Sequence, residues 1–327
     1  MLSVGRNSNL GKLVAEINSG LAKSDIWERR SCPLCASNDF SVKPEVQAKS
    51  PAESMSWNEV RDSFVGLRKD QLFFSYYRCS KCSLLYCPWY FSAPQLEELY
   101  SQMPDNLMGE DKSTASKTQS GYVRWILAKT KTIDSFLEIG PDVGLVTSAI
   151  VKSVRPSKIG LIEPNLAVHT DLRKSAGSTQ QVEIVQELNQ LKSSGYQLVV
   201  GIHVFDHLLN PLADLKKLGQ LSRDGANLGV VVHNEGSLLR RIISKKWPPF
   251  CLQHPQLYNR ETLRAMLLAG GWNLETVNRS TNYFHLNHLA KLALGIFGLP
   301  EGLSKVIPKF ETPVNLGNMI SMATLIS

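Results

Sequence analysis

The sequence predicts an α/β protein built on a doubly wound, Rossmann-like sheet, with a small N-terminal zinc-binding module ahead of it. Three observations predict this. Ser135–Ile139 is an apolar, strand-like run, and Gly140, Pro141, Asp142 and Gly144 turn it into a helix start. A second strand, Lys158–Ile162, ends on Glu163 and Pro164. Two CxxC pairs, Cys32/Cys35 and Cys79/Cys82, precede both. Strand, glycine turn, helix, strand and terminal carboxylate make a nucleoside-binding half of such a sheet. The carboxylate matters because both hydroxyls of a ribose can donate to it.

The turn narrows the ligand. A dinucleotide fingerprint needs glycines at 140, 142 and 145, and only Gly140 is present. The pattern acidic-x-Gly-x-Gly-x-Gly fits better, with Glu138, Gly140 and Gly144 in place and Asp142 as the departure. On these residues the chain resembles the class I S-adenosylmethionine (SAM)-dependent methyltransferases. The resemblance covers residues 120–327. It implies SAM as cofactor, Glu163 as the ribose carboxylate, and a seven-stranded sheet whose last strand, Asn318–Ile326, runs antiparallel. Asp206-His207 and Pro211 stand where that family carries a Glu-His pair and a following Pro. His203 is expected on the adenine side. Asp142 adds a Cβ and a negative charge where the family lets the cofactor approach the backbone.

The remaining elements follow in order. Tyr196–Ile202 reads as a buried strand, Leu212–Leu221 as a helix, and Ser222–Ala226 as a turn. Asn227–His233 is an all-apolar strand with a polar exit at His233-Asn234. Polar groups at three strand ends (Glu163, Asp206-His207, His233-Asn234) mark a crevice at the carboxyl edge of a parallel sheet. Glu235–Lys246 reads as a basic helix with Leu238, Leu239, Ile242 and Ile243 on one face. Trp247–Pro255, with three prolines, is a loop above the crevice, suited to a lid or to packing. Asn259–Gly271 is a helix with an Asn cap and a Gly stop, leading to a strand at Trp272–Arg279. His285–Phe297 is an apolar helix before a Gly/Pro-rich loop. It is expected to pack, to cover the site, to form a homodimer contact or to touch a lipid-linked substrate.

The four cysteines suit a closed tetrahedral Zn²⁺ site, since each CxxC turn presents two thiolates to one ion. The spacer between the pairs is long, and Ala36 and Ser83 occupy positions where such knuckles often carry Gly. Free thiols and disulfides are the alternatives. A four-cysteine knob ahead of a SAM domain resembles the zinc-ribbon methyltransferases of sugar and natural-product pathways. Ser92 and Gln95 have capping-box spacing with Pro94 in the first turn, so a short link helix starts there. Domain boundaries are set at 1–30 (a helical segment around Leu10–Leu21), 31–103 (the zinc module and link helix), 104–120 (linker or lid) and 121–327. Within the last, 235–258 and 285–316 are substrate-side inserts.

Bulk composition fits this layout. The chain has 327 residues, 43% of them hydrophobic, and a formal charge of +7, which suits an anionic or nucleotide-linked small-molecule substrate. No basic, aromatic-interleaved run points to nucleic acid, and no apolar run is long enough to span a membrane. With no secretory signal visible, cysteine usage suggests the cytoplasm. A hydroxyl or carbon nucleophile must lose a proton to be methylated, and His accepts one near neutral pH. The candidates are His207, His233 and His254, with His207 first and Asp206 as its orienter or as a cofactor contact. The expected function is O- or C-methylation of a small molecule, a saccharide or nucleotide-linked sugar. The alternatives are a non-catalytic fold whose zinc knob binds protein or RNA, and an RNA methyltransferase.

Overall fold

Short apolar strands alternate with capped helices along the chain. A computed structural model describes residues 27–48, 51, 55–65, 73–103, 112–131 and 133–326. The expected Leu10–Leu21 helix and residues 104–111 lie outside the described residues.

The N-terminal module contains β1 (Glu28–Arg29), α1 (Trp57–Val65), β2 (Tyr77–Arg78), β3 (Leu85–Tyr86) and β4 (Trp89–Tyr90). β2 pairs antiparallel with β3, and β1 with β4. Its core is aromatic: Phe64, Phe73, Phe74, Tyr76, Tyr90 and Phe91 are all buried. The link helix α2 (Ala93–Ser101) starts at the expected capping box, with Ser92 and Gln95 exchanging side-chain to backbone hydrogen bonds.

The second layer begins with α3 (Lys112–Leu127). Residues 112–120, read from the sequence as linker or lid, are thus helical, because Thr114, Thr118, Tyr122, Val123 and Ile126 bury one continuous face. Then come β5 (Ser135–Ile139), α4 (Leu145–Val154), β6 (Lys158–Ile162), α5 (His169–Ser175), β7 (Gln181–Val185), β8 (Tyr196–Ile202), α6 (Pro211–Leu221) and β9 (Ser222–His233). After them stand α7 (Leu238–Ile243), β10 (Gln256–Leu257), α8 (Arg260–Ala269), β11 (Trp272–Arg279), β12 (Asn282–His285), α9 (Leu286–Phe297), β13 (Glu311–Val314) and β14 (Asn318–Leu325).

Seven strands form one sheet in the order β11-β14-β9-β8-β5-β6-β7. The strands from β9 to β7 are parallel, and β14 runs antiparallel to both neighbours. This is the expected doubly wound architecture. Among the described residues, no helix is long and apolar enough to cross a membrane.

Three local expectations change. The turn at Ser222–Ala226 is a bulge inside β9: Ser222 pairs with Tyr196, and pairing resumes only at Asn227 with Leu198. Gly225, at φ 66°, supplies the left-handed step this needs. The basic helix is shorter than 235–246, because Glu235 is drawn into an ion pair and Ser237 caps α7. Its four apolar residues do not share a buried face: Leu238 and Ile242 are exposed, while Leu239 and Ile243 pack on the aromatic core.

The module is joined to the rest of the chain by backbone pairing. β10 adds antiparallel to β3, so a strand from residue 256 completes a sheet begun at residue 77. The Tyr76 hydroxyl donates to the His254 carbonyl (2.6 Å), and the Tyr90 hydroxyl donates to that of Leu252 (2.7 Å). Trp247 and Phe250 are buried in the same aromatic cluster, so the Pro-rich loop packs on the module. Arg78 bridges Glu45 (2.7 Å) and the buried Glu235 (3.0 Å), and Arg240 also reaches Glu45. Arg78→Ala removes the cation from the buried Glu235 carboxylate and leaves it the Asn259 amide, which donates at 2.8 Å. It is expected to lower unfolding stability by about 1–3 kcal/mol, read as a shift in urea midpoint at unchanged slope.

Candidate functional site

The glycine turn after β5 is held by Glu163. This carboxylate is buried at the end of β6. It accepts the backbone N–H of Asp142 at 3.0 Å and that of Asn165 at 2.9 Å. A carboxylate has about four acceptor positions, so two such bonds leave room for ribose hydroxyls. Gly140, Asp142 and Gly144 all take positive φ, at 61°, 50° and 81°. For Asp142 this left-handed conformation costs about 1–2 kcal/mol, and Asp tolerates it better than most residues. Pro141 closes the turn by accepting the Gly144 N–H at 2.8 Å. A Cβ at residue 144 would lie 2.3 Å from the Ser175 hydroxyl, so glycine there lets α4 approach α5. Pro164 accepts from the Gln186 amide at 3.0 Å.

Glu138 is buried below the turn and accepts from the Thr147 hydroxyl at 2.6 Å. Burial pushes its carboxyl up to about 8, with the Thr147 bond holding it down and the Glu163 charge adding to the rise. Burial likewise pushes Glu163 up to about 7, against its two N–H bonds, while the Asp142 charge raises it further. Two buried acids at the strand ends, both raised by desolvation, suit a ligand with cationic groups and a diol.

The loop after β8 lies directly on this turn. A Cβ at Gly140 would stand 2.6 Å from Val204 Cγ2. The same loop carries His203, Asp206 and His207, and the structure brings these together with His233 and His254. Ring centroids are 4.7 Å apart for His203–His233, 4.8 Å for His233–His254 and 4.6 Å for His207–His254. Asp206 is fully buried. Its Oδ2 accepts the backbone N–H of His233 at 3.0 Å and faces His233 Nδ1 at 2.8 Å. Burial pushes Asp206 up to about 6, against His254, the His233 N–H and His203. Asp206 therefore orients His233, whereas the sequence had paired it with His207. His203, expected beside the adenine, packs between His233 and Tyr122, with its own φ at 54°.

The other two histidines form a chain whose polarity can be read from its end. His254 Nδ1 lies 2.7 Å from the Pro249 carbonyl, which only accepts, so this nitrogen carries a proton. With neutral rings, His254 Nε2 then accepts from His207 Nε2–H at 3.1 Å, and His207 Nδ1 accepts from the Tyr100 hydroxyl at 3.2 Å. Both nitrogens of His207 are thereby engaged. In His233, donation from Nδ1 to Asp206 places the ring's lone pair on Nε2.

The four expected metal ligands converge. The sulfurs of Cys32, Cys35, Cys79 and Cys82 all lie within 4.8 Å of one another, with Cys32–Cys82 at 3.4 Å and Cys35–Cys79 at 3.5 Å. A zinc tetrathiolate with bonds of about 2.3 Å has sulfur edges of about 3.8 Å, so the set fits zinc. The two knuckles match: Cys32 N–H donates to Ser37 and Ala36 N–H to Cys32, as Cys79 N–H donates to Leu84 and Ser83 N–H to Cys79. Ala36 and Ser83 adopt positive φ, 56° and 63°, filling the glycine role. Cys87 and Cys251 stand apart from this set; Cys251 Sγ lies 3.3 Å from His254 Nδ1.

Three site residues escaped sequence reasoning. Tyr100 on α2 reaches His207, and the Met103 carbonyl receives the Asn165 amide at 3.0 Å. Gln256, fully buried, donates to the carbonyls of Phe205 (3.0 Å) and Leu208 (2.7 Å) and so fixes the loop bearing Asp206. Only tertiary docking brings them there; a lone polar residue in the strand pattern Gln256–Leu257 was the one available signal.

A family model described as a methyltransferase domain matches residues 111–277. A search of curated proteins finds no match. Among solved structures, a chain of the Haloferax volcanii complex containing the Trm112 methyltransferase activator superposes with a TM-score of 0.52. It is 11% identical, covering 69% of this chain and 100% of that one. The N-methyltransferase NodS of Bradyrhizobium japonicum, with S-adenosyl-l-homocysteine, gives 0.46 at 10% identity, covering 71% and 98%. A Bacillus halodurans structure gives 0.45 at 16% identity, covering 64% and 100%.

Metal analysis of protein purified without chelator is expected to find about one tightly held zinc per chain, lost in Cys32→Ser and in Cys79→Ser. Glu138 gives a pH prediction. Its carboxyl titrates near 8 when folded and near 4.5 otherwise. Between those values the folded chain holds a proton that the unfolded chain has released, so stability falls as pH rises. The limiting slope for one proton is about 1.4 kcal/mol per pH unit. Glu138→Gln is expected to flatten the thermal midpoint across that window in cofactor-free protein; an unchanged slope would assign the proton elsewhere.

Proposed function

The chain belongs to the methyltransferase-domain family and is a SAM-dependent methyltransferase, and from that premise we propose that it methylates an oxygen of a small molecule with His233 as general base. The supporting observation is the Asp206–His233 pair, which joins the end of β9 to the loop that touches Gly140. Bound SAM supplies an electrophilic sulfonium methyl. Glu163 is proposed to hold the ribose, and Glu138 with the Gly140–Gly144 turn to cradle the methionyl end. His203 borders the same cleft from the far side of His233.

His233 Nε2 would accept the hydroxyl proton of the acceptor as the acceptor oxygen took the methyl, the electrons of the broken S–C bond staying on sulfur so that neutral S-adenosylhomocysteine leaves. Asp206 keeps Nδ1 protonated and stabilises the imidazolium that forms, as the orienting carboxylate does in triad chemistry. The Tyr100–His207–His254 chain positions the wall of the cleft. Trp247, whose ring centroid lies 6.3 Å from that of His233, helps exclude water. The four cysteines hold a structural zinc that keeps the module folded.

The acceptor class to test first is a saccharide or nucleotide-linked sugar, supported by the family resemblance and by the charge of +7. We place the protein in the cytoplasm, a reading supported by the paired cysteine thiols. Calorimetry with SAM is the primary test. Glu163→Ala is expected to weaken binding by about 1–3 kcal/mol. His233→Ala is expected to leave SAM affinity intact and to cut methyl transfer about 10²–10⁴-fold, measured with methyl-labelled SAM over a panel of acceptors. Failure of folded wild-type protein to bind SAM, with binding gained in Asp142→Gly, would assign the chain to a degenerate, non-catalytic fold.

A further inference from the structure

The histidine cluster holds more than a proton relay needs. One ligand atom from each of His203, Asp206 and His233 lies within 4.8 Å of the other two. Asp206 is fully buried, and its two carboxylate oxygens are treated very differently. Oδ2 receives both His233 bonds, whereas Oδ1 is buried and meets no hydrogen-bond donor among the described residues. An anionic oxygen shut away from water without a donor is unfavourable, and a cation is the partner that removes the penalty. Two imidazoles and one carboxylate are a donor set for first-row divalent ions. With metal–ligand bonds of about 2.1 Å, neighbouring ligand atoms sit about 3 Å apart and opposite ones about 4.2 Å. The observed cage accommodates both. The backbone N–H of His233 fixes the carboxylate, and the backbone N–H of His203 is tied to the Val231 carbonyl at 2.8 Å, so two of the ligands are braced from behind.

We propose that His203, Asp206 and His233 form a binding site for a divalent transition-metal ion, separate from the four-cysteine site. The consequence rests on the reading of His233 as base. An ion on Nε2 takes the lone pair that would accept the proton. An ion on Nδ1 sends the ring's proton to Nε2, with the same result. The imidazole stays neutral in both cases, and metal occupancy and base catalysis exclude each other. The site then acts as a metal-operated brake on methyl transfer.

The test titrates Co²⁺ into protein whose cysteine site already holds zinc. Wild-type protein is expected to take up one further equivalent with the weak visible bands of nitrogen and oxygen ligation and no thiolate charge-transfer band. X-ray absorption at the cobalt edge should find two imidazoles and no sulfur. His203→Ala and the milder His203→Gln are expected to lose that equivalent while retaining the cysteine zinc. In wild type, methyl transfer should fall in step with cobalt occupancy and recover with a chelator too weak to strip the zinc. Absence of the second equivalent, or sulfur in its coordination shell, overturns the site; activation by cobalt overturns the brake. SAM calorimetry on the same samples separates these results from a failure of the methyltransferase reading, since SAM binding requires neither the cobalt nor His233.

Discussion

Gln256 is the joint on which the site depends. Its side chain is wholly buried, its amide holds the carbonyls of Phe205 and Leu208, and its oxygen takes a bond from Arg30 at 3.1 Å. Its backbone meanwhile pairs with Tyr86 of the cysteine module. One residue therefore couples three parts: the cysteine knuckles, the sheet completed by β10, and the loop that carries Asp206 and His207. A buried amide with every partner satisfied is rigid, and removing it would leave several carbonyls without donors. Through this joint the module acts as scaffolding for the histidines, since Tyr76 also anchors the carbonyl of His254.

A second theme is the concentration of buried acid at the strand ends. Glu138, Glu163 and Asp206 are each raised by burial. None is neutralised by a Lys or Arg in the described contacts. Glu163 leans on two backbone N–H groups, Glu138 on a threonine, and Asp206 on a histidine. Such a cleft is poised for a ligand that brings its own positive charge, because each desolvated carboxyl gains most from a cation placed where water cannot screen it. A sulfonium cofactor meets that requirement without a basic side chain from the protein.

Much of this was legible in the residues. The β5 strand, its glycine turn and the acid at 163 follow from local pattern, as do the capping box at Ser92, the Asn cap at 259 and the paired cysteines. These features are short-range, and the residues that make them are neighbours in sequence. What stayed hidden is long-range or irregular. β7 was not located because Gln181–Val185 is a half-exposed edge strand with weak patterning. The bulge in β9 reads as a turn because its glycine does what a turn glycine does. Asp206 was matched to His207 by adjacency, but the end of β8 directs it across to the neighbouring β9, where His233 emerges. No sequence period records which strand ends face one another across a crevice.

The sheet shared by β2, β3 and β10 also sets an order on how the chain matures. As it leaves the ribosome, the two cysteine knuckles, both within the first 82 residues, can form early. The outer edge of β3 must then wait for its partner, which follows about 170 residues later, a delay of roughly 10 to 30 s at ordinary elongation rates. An unpaired edge beside a cluster of exposed aromatics is a site for wrong pairing. The nascent protein thus passes through a stage in which its cysteine-rich head has an open strand edge, and the arrival of Gln256 and Leu257 closes it.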